Sequence, residues 1–196
     1  MGANSIVLTG IKHCGKTTLG SLVAEALAVP FFDTDALILE QTGFSARELY
    51  QQNGEKAFMA AETEAVRSVL HVAHAVIATG GGVCKNTQTI ALLRERGKIS
   101  HKIIYVNVPE KTAFERIFSQ AKWDESTGSF LQLPAYIQSE NPKTKDDVER
   151  IFHAFFAERS ARYEQLADAV FVPQNVSAPE NAALLAKLAE EFQIRN

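Results

Sequence analysis

The segment Gly10–Thr18 reads G-I-K-H-C-G-K-T-T and fits the pattern G-x-x-x-x-G-K-T. It follows the apolar run Ile6–Thr9 and opens onto Lys16–Ala28, where apolar residues recur at helical spacing. This pattern between a strand and a helix is typical of a phosphate-binding loop, whose N–H groups point at phosphate oxygens beside a helix N-terminus. The segment therefore predicts an α/β fold built around a nucleoside triphosphate site.

Individual loop positions have different predicted roles. The Lys16 ammonium is expected to reach the β- and γ-phosphates, and the Thr17 hydroxyl to ligate Mg²⁺. A catalytic pair of His13 and Cys14 is the weaker interpretation, because adjacent side chains point apart, although a helix N-terminus can make Cys14 a reactive thiol. The predicted nucleotide-binding residues of the loop are Gly10, Ile11, Lys12, His13, Cys14, Gly15, Lys16, Thr17 and Thr18.

Short apolar runs alternate with amphipathic stretches along the chain, as expected for buried parallel strands with crossover helices. The predicted fold has three layers, with a five-stranded parallel sheet and helices on both faces, in a single domain over residues 1–196. The predicted strands are Ile6–Thr9, Pro30–Phe32, Ala75–Thr79, Lys102–Asn107 and Ala169–Val172. The predicted helices are Lys16–Ala28, Glu55–His71, Asn86–Arg96, Glu110–Gln120, Asp146–Leu166 and Pro179–Phe192.

Charge and cysteine content exclude several classes of function. A formal net charge of -3 gives no broad basic surface for nucleic acid or an anionic membrane, so phosphate affinity must be local. Cys14 and Cys84 are 70 positions apart, which argues against a disulfide framework or a metal knuckle. No apolar run is long enough to span a membrane. We expect a cytoplasmic monomer.

Two carboxylates follow the second predicted strand, in Phe31-Phe32-Asp33-Thr34-Asp35. Ligands of open α/β sheets bind at the carboxyl ends of the strands. One of these carboxylates can hold a water of Mg²⁺, and the other can orient an attacking hydroxyl or accept its proton. The alternative is that one of them caps a helix beginning near Ala36.

The third predicted strand runs into Gly80-Gly81-Gly82, where a ligand can approach exposed backbone amides. In chain order the motifs are G-x-x-x-x-G-K-T, F-D-T-D, G-E-x-x-F, A-T-G-G-G and E-R-x-x-x-Y. Together, from Ile6 to about Val172, they resemble the shikimate kinase family. The resemblance implies a small P-loop kinase fold, with a substrate-binding helical region at about 34–72 and a mobile lid at about 122–145, where helical periodicity fades. A solvated surface excursion is the other interpretation of residues 122–145.

The resemblance also implies residue roles. Lys16 and Thr17 would serve ATP and Mg²⁺, Asp33 would support the metal through water, and Asp35 would bind the shikimate hydroxyls and act as base. Gly80, Gly81 and Gly82 would line the same pocket. Arg159 would bind the substrate carboxylate, with Arg162, one helical turn further on, as the alternative; either could instead be a solvated helix charge. Arg116 would stack on adenine, with Pro179 on its other face.

The chain departs from the family pattern at two places. Met59 stands where the family has an arginine that pairs with the substrate carboxylate, and neither Lys56 nor Arg67 has the spacing to replace it. The family's lid arginine is also missing, since no arginine lies between Arg116 and Arg150. The candidate substitutes for it are Lys122, Lys143, Lys145 and Arg150.

Three functions are therefore considered. The first is ATP-dependent phosphorylation of shikimate to shikimate 3-phosphate, with ATP and Mg²⁺ as cofactors. The second is a kinase for another hydroxylated small acid, as an altered pocket would suit. The third is a catalytically weak, nucleotide-binding regulatory paralogue, with exposed apolar residues of 122–145 as its interaction surface.

Overall fold

A five-stranded parallel sheet forms the centre of the computed structural model, which describes residues 3–95 and 99–192. Its strands are β1 (Ala3–Thr9), β2 (Phe31–Asp33), β3 (Val76–Ala78), β4 (Ile99–Val106) and β7 (Ala169–Phe171); β5 (Lys122–Asp124) and β6 (Ser129–Leu131) form a separate hairpin. The strands of the sheet lie in the order β2-β3-β1-β4-β7, with β1 between β3 and β4. The five-stranded parallel sheet predicted from the sequence is confirmed.

Eight α-helices connect and cover these strands in the described residues. They are α1 (Lys16–Leu27), α2 (Thr34–Thr42), α3 (Ala46–Val69), α4 (Thr87–Arg94), α5 (Glu110–Phe118), α6 (Ala135–Gln138), α7 (Lys145–Leu166) and α8 (Ala178–Glu191). Six of them match predicted helices to within a few residues, except that α3 begins nine residues before its prediction. The last residue of the predicted helix Asn86–Arg96 lies outside the described residues.

Helices pack on both faces of the sheet. The register pairs Leu8 with Ile104 and Thr9 with Tyr105, so Leu8 and Tyr105 point to opposite faces. Gly20 of α1 lies against the Leu8 side chain, whereas the Tyr105 ring stacks on Tyr163 of α7, with 5.1 Å between ring centroids. The apolar core therefore lies on each side of β1 and β4, and the strand ends are left for the site.

Helix α3 is broken at Gly54, where φ is 81° and ψ is 175°. The first part begins with a capping box of Ser45 and Glu48, and the second part continues to Val69. Leu49 from the first part and Ala65 from the second are buried in a small apolar cluster with Ile38 of α2. The kink thus packs both parts of α3 around α2.

Residues 122–145 contain more regular structure than the sequence predicts. A hairpin of β5 (Lys122–Asp124) and β6 (Ser129–Leu131) is followed by the short helix α6. Leu133 and Ile137 are completely buried in the main core, whereas Trp123 is 46% exposed. The base of the segment is therefore anchored, and the hairpin extends from it.

Within the described residues, no helix combines the length and apolar character needed to cross a membrane.

Candidate active site

Three loops converge at the carboxyl edge of the sheet, because β1, β2 and β3 are parallel neighbours. The phosphate-binding loop follows β1, Asp33 ends β2, and the turn Gly80–Gly82 follows β3. Together with the ends of β4 and β7 they border a cavity of about 910 Å³. The lining includes Lys12, His13, Cys14, Gly15, Lys16, Thr17, Thr18, Asp33, Asp35, Gly81, Arg116, Pro173, Ala178 and Asn181.

The phosphate-binding loop curls around the side chain of Lys16. Its Nζ donates to the carbonyl oxygens of Gly10 and Ile11, each at 2.9 Å, and the side chain is buried. No side chain caps the start of α1 at Gly15, so the first amides of that helix are free to bind an anion. The loop is therefore formed as a phosphate cradle before any phosphate enters.

Thr17 and Asp33 link the first two loops. The Thr17 hydroxyl donates to Oδ2 of Asp33 at 2.6 Å, and Oδ1 of Asp33 accepts from the backbone N–H of Asp35 at 2.9 Å. Asp33 is therefore the cap of α2, as one interpretation of the sequence expected, and its second oxygen faces Thr17. A hydroxyl and a carboxylate side by side are hard oxygen donors, which suit Mg²⁺ bound through few protein ligands and several waters.

Asp35 lies on the first turn of α2 at the cavity wall. The residue is open to solvent through the cavity mouth, yet protein surrounds its carboxyl group closely. The loss of water around it, and next the charge of Asp33, raise the pKa of Asp35, while Lys16 and Lys12 oppose the rise. A carboxylate with a raised pKa is a better proton acceptor, and Asp35 lines the cavity.

The turn Gly80–Gly82 lies against the phosphate-binding loop. A methyl group added at Gly81 would lie 2.8 Å from the backbone nitrogen of Lys12, so a larger residue would separate the two loops. The N–H of Gly80 donates to the Thr34 hydroxyl at 3.0 Å, and the Tyr163 hydroxyl donates to the carbonyl of Gly81 at 2.7 Å. The turn is therefore fixed from both sides of the sheet.

Arg159 and Arg162 occupy different surroundings on α7. The Arg159 guanidinium is buried, donates from Nη1 to the carbonyls of Gly81 and Gly82 at 3.3 Å each, and lies 4.6 Å from the centre of the Phe155 ring. Its Nε is buried and has no hydrogen-bond partner among the described residues. Arg162 pairs with Glu158 at 3.1 Å on the surface. Of the two, Arg159 is the arginine at the glycine turn.

Glu62 on α3 is a buried site residue that the sequence analysis missed. Its Oε2 accepts from Nδ2 of Asn86 at 3.0 Å, whereas its Oε1 faces the turn at Gly80 and accepts from no residue in the described part of the chain. Burial raises the pKa of Glu62 to about 7, although the Asn86 hydrogen bond lowers it. The sequence could have indicated this residue, because Glu62 lies on the same helix face as the apolar residues Ala65 and Val66.

Arg116 and Pro179, predicted to hold adenine, lie in different places. Arg116 lines the cavity and donates from Nη1 to the carbonyl of His13 at 3.2 Å. Pro179 is exposed in the first turn of α8, outside the cavity lining, while Pro173 and Ala178 lie in it. Helix α8 begins at Ala178, one residue earlier than predicted.

Met59 and Arg67 supply no positive charge to the site, and the Cys14 thiol is not accessible. Met59 is half-buried, and its carbonyl accepts from Thr63 and Asn86. Arg67 pairs with Glu64 on the surface, so it supplies no charge to the site. The Cys14 thiol is only 2% exposed in the core, which leaves little access for a reagent.

The chain resembles known sequences over most of its length. The family model described as shikimate kinase matches residues 12–190. A shikimate kinase of Caldicellulosiruptor bescii is 36% identical over 113 residues, which are 58% of this chain and 63% of the relative. One of Xanthomonas campestris is 28% identical over 194 residues, which are 98% of this chain and 96% of the relative. The alignments to the first relatives thus span between half and two thirds of those proteins.

The fold also matches a solved structure. Shikimate kinase from Acinetobacter baumannii in complex with shikimate superposes with a TM-score of 0.76 at 22% identity, covering 100% of this chain and 97% of that one. At this identity the match establishes the common fold.

Proposed function

The chain belongs to the shikimate kinase family, and from this premise we propose that it transfers the γ-phosphoryl group of ATP to a hydroxyl of shikimate, giving shikimate 3-phosphate. The observation that carries the proposal is the shared cavity, in which the phosphate-binding loop, Asp35 and Gly81 all line one wall. Donor and acceptor groups that share a cavity can react in line without diffusing apart.

The donor side of the reaction is the phosphate-binding loop. The loop amides and the Lys16 ammonium would hold the β- and γ-phosphates and spread their negative charge. The two hydrogen bonds of Lys16 to loop carbonyls hold its ammonium inside the loop, next to where the phosphates would lie. His13 adds little positive charge, since burial, followed by the charges of Lys12, Lys16 and Arg116, lowers its pKa.

The acceptor side would use Asp35 and Arg159. Asp35 would orient the attacking hydroxyl and take its proton, as its raised pKa favours. Arg159 would bind the substrate carboxylate, and its hydrogen bond to the carbonyl of Gly81 supports this role, because Gly81 lines the cavity. Met59 supplies no second cation, so the carboxylate would be held by one arginine.

Magnesium is the metal proposed for the donor side. Thr17 Oγ1 and Asp33 are the residues that would hold it, Asp33 through water, and their 2.6 Å hydrogen bond supports a common ligand position. When bound, the ion would neutralise charge on the β- and γ-phosphates.

Residues 122–145 are proposed to act as the lid, with the hairpin Lys122–Leu131 as its moving part. Support comes from the burial of Leu133 and Ile137, which fixes the base of the segment, and from the exposure of Trp123. None of these residues lines the cavity in the described structure, as expected for an open lid. Closure would exclude water, which competes with the acceptor hydroxyl.

The direct test is ADP formation by the purified protein with Mg-ATP, with and without shikimate. We expect shikimate-dependent ADP release, and its loss in Lys16→Ala, while Lys187→Met on α8 remains active. ADP release that is the same with and without shikimate would contradict the proposal. A panel of other hydroxylated acids then tests the second acceptor class.

Met59 and the lid without arginine favour a regulatory, nucleotide-binding protein as the second candidate. It predicts Mg-ATP binding by calorimetry with no phosphoryl transfer to any acid of the panel. Transfer that Lys16→Ala abolishes would exclude it. The cytoplasmic location and the monomeric state stay predictions from the sequence.

A further inference from the structure

Phosphoryl transfer needs positive charge at the γ-phosphate, because negative charge is spread over its oxygens in the transition state. Among the described residues, three lysines and arginines line the cavity: Lys12, Lys16 and Arg116. Lys16 is bound to two carbonyls of its own loop, and Arg116 is bound to the carbonyl of His13. Lys12 is exposed and makes no hydrogen bond or ion pair with any described residue.

Lys12 lies between the donor and acceptor sides of the cavity. It belongs to the phosphate-binding loop, yet its backbone nitrogen is the closest atom to a methyl group built at Gly81, at 2.8 Å. Its charge also acts on Asp35, whose pKa it lowers. An ammonium at this junction can approach a phosphoryl group that is passing from ATP to a hydroxyl beside Asp35.

The cations of residues 122–150 do not line the cavity. Lys143 donates to the Gly128 carbonyl at 2.7 Å, Lys145 lies 5.5 Å from the centre of the Phe118 ring, and Arg150 pairs with Asp147 at 3.6 Å. Lys122, on the exposed hairpin, does not line the cavity. In the described structure these four residues therefore add no positive charge to the cavity lining, and the phosphate-binding loop supplies Lys12 and Lys16.

We propose that the Lys12 side chain is a further catalytic residue, whose ammonium donates hydrogen bonds to the γ-phosphoryl oxygens during transfer. The inference rests on the proposed phosphoryl transfer. The bond between Pγ and the β–γ bridging oxygen breaks, and its electron pair stays on ADP. The acceptor oxygen forms the new bond to Pγ, and its proton passes to Asp35. Lys12 stays protonated throughout, so its contribution is charge and orientation.

The test compares Lys12→Met, Lys12→Arg and the matched surface control Lys187→Met in the shikimate-dependent assay. We expect Lys12→Met to lower kcat by about 100-fold, as for loss of one donor to the transferring group, with the KM for ATP changed by less than about threefold. Lys12→Arg should recover most of kcat, and Lys187→Met should match the parent chain. Equal kcat values for Lys12→Met and the parent would overturn the inference.

A second readout separates a catalytic from a structural role of Lys12. Lys12 is exposed and bonds to no described residue, so its loss should leave the resting loop intact. Lys12→Met should therefore bind Mg-ATP as tightly as the parent chain and unfold at the same temperature. A lowered kcat together with weaker Mg-ATP binding or a lower unfolding temperature would mean that Lys12 only supports the loop.

A third measurement needs no acceptor and so distinguishes failure of this inference from failure of the proposed function. ADP, Mg²⁺ and aluminium fluoride mimic the transferring group, and retention of labelled ADP on a desalting column measures the trapped complex. If the parent chain shows no shikimate-dependent turnover, the proposed function fails, and trapping still tests Lys12. We expect at least tenfold weaker retention by Lys12→Met, and equal retention would overturn the inference.

Discussion

At the scale of single residues, Glu62 is the most unusual group near the site. It is 1% exposed, and no described residue donates a hydrogen bond to its Oε1. Burial favours the neutral form of a carboxylate and raises the pKa of Glu62 to about 7, although the hydrogen bond from Asn86 and the charge of Arg159 oppose the rise. The site therefore contains a carboxyl group that titrates near neutral pH.

The titration of Glu62 predicts a pH-dependent stability. The pKa is about 7 in the folded chain against a model value of 4.5, so the folded state binds the proton more tightly between these values. The free energy of unfolding should fall as the pH rises from about 4.5 through 7, by on the order of 3 kcal/mol. Glu62→Gln should remove most of this slope, as measured by urea unfolding at pH 5 and pH 8.

The matched control for this prediction is Glu64→Gln, two residues along α3, since the Glu64 side chain is 63% exposed and pairs with Arg67 on the surface. It should leave the slope unchanged. A Glu62→Gln slope equal to that of the parent chain would show that Glu62 titrates normally in the folded state.

At the scale of elements, the break of α3 at Gly54 decides how the substrate-side helices pack. Its φ of 81° and ψ of 175° lie in a region that glycine alone adopts readily. No neighbouring atom lies within 4 Å of a methyl group built at Gly54, so an alanine there would meet only backbone strain. The kink therefore depends on the residue type and not on the space around it.

We predict that Gly54→Ala lowers the free energy of unfolding by about 1–3 kcal/mol, measured by urea denaturation. Within a regular helix the same change would raise stability by roughly 0.5–1 kcal/mol, so the sign of the effect tests the kink. The control is Gly43→Ala at the end of α2, where φ is 75° and ψ is 0° and the surroundings are equally open. Gly43→Ala should lower the free energy of unfolding by only about 1–2 kcal/mol, as expected for the left-handed helical region.

At the scale of the whole molecule, the sheet and the projecting hairpin differ in how freely they can move. The sheet carries the site loops and is buried on both faces. The hairpin contacts the body through Phe130, which lies against Phe118 of α5, and through the Gly128 carbonyl, which accepts from Lys143. Segments with few buried contacts open at lower free energy than core strands. Movement on ligand binding should therefore be confined to the hairpin.

Trp123 can report this movement, because it is the one tryptophan of the chain and lies on the hairpin at 46% exposure. Addition of Mg-ADP with shikimate should shift its emission to shorter wavelength as the hairpin closes over the cavity. Hydrogen exchange should slow in Lys122–Leu131 but stay the same in Leu133–Ile137, which is anchored in the core. Lys16→Ala is the control, and an equal response from that variant would contradict nucleotide-driven closure.

The sequence by itself determined the sheet, the order of its main elements and the phosphate-binding loop. These follow from local information: runs of apolar residues, helical periodicity, and glycines at fixed spacing from Lys16. It also brought Asp33, Asp35 and Gly80–Gly82 to one edge, because the carboxyl ends of parallel strands meet there. Such features depend on residues close together in the chain.

Only the tertiary structure decided which side chains meet across the chain. It put Arg159 on the glycine turn and Arg162 on the surface, excluded Pro179 from the cavity wall, and buried Glu62 against Gly80. It also left Lys12 as the unpaired cation beside Asp35 among the described residues that line the cavity. These outcomes depend on helix orientation and contacts between residues far apart in sequence, which local patterns do not specify.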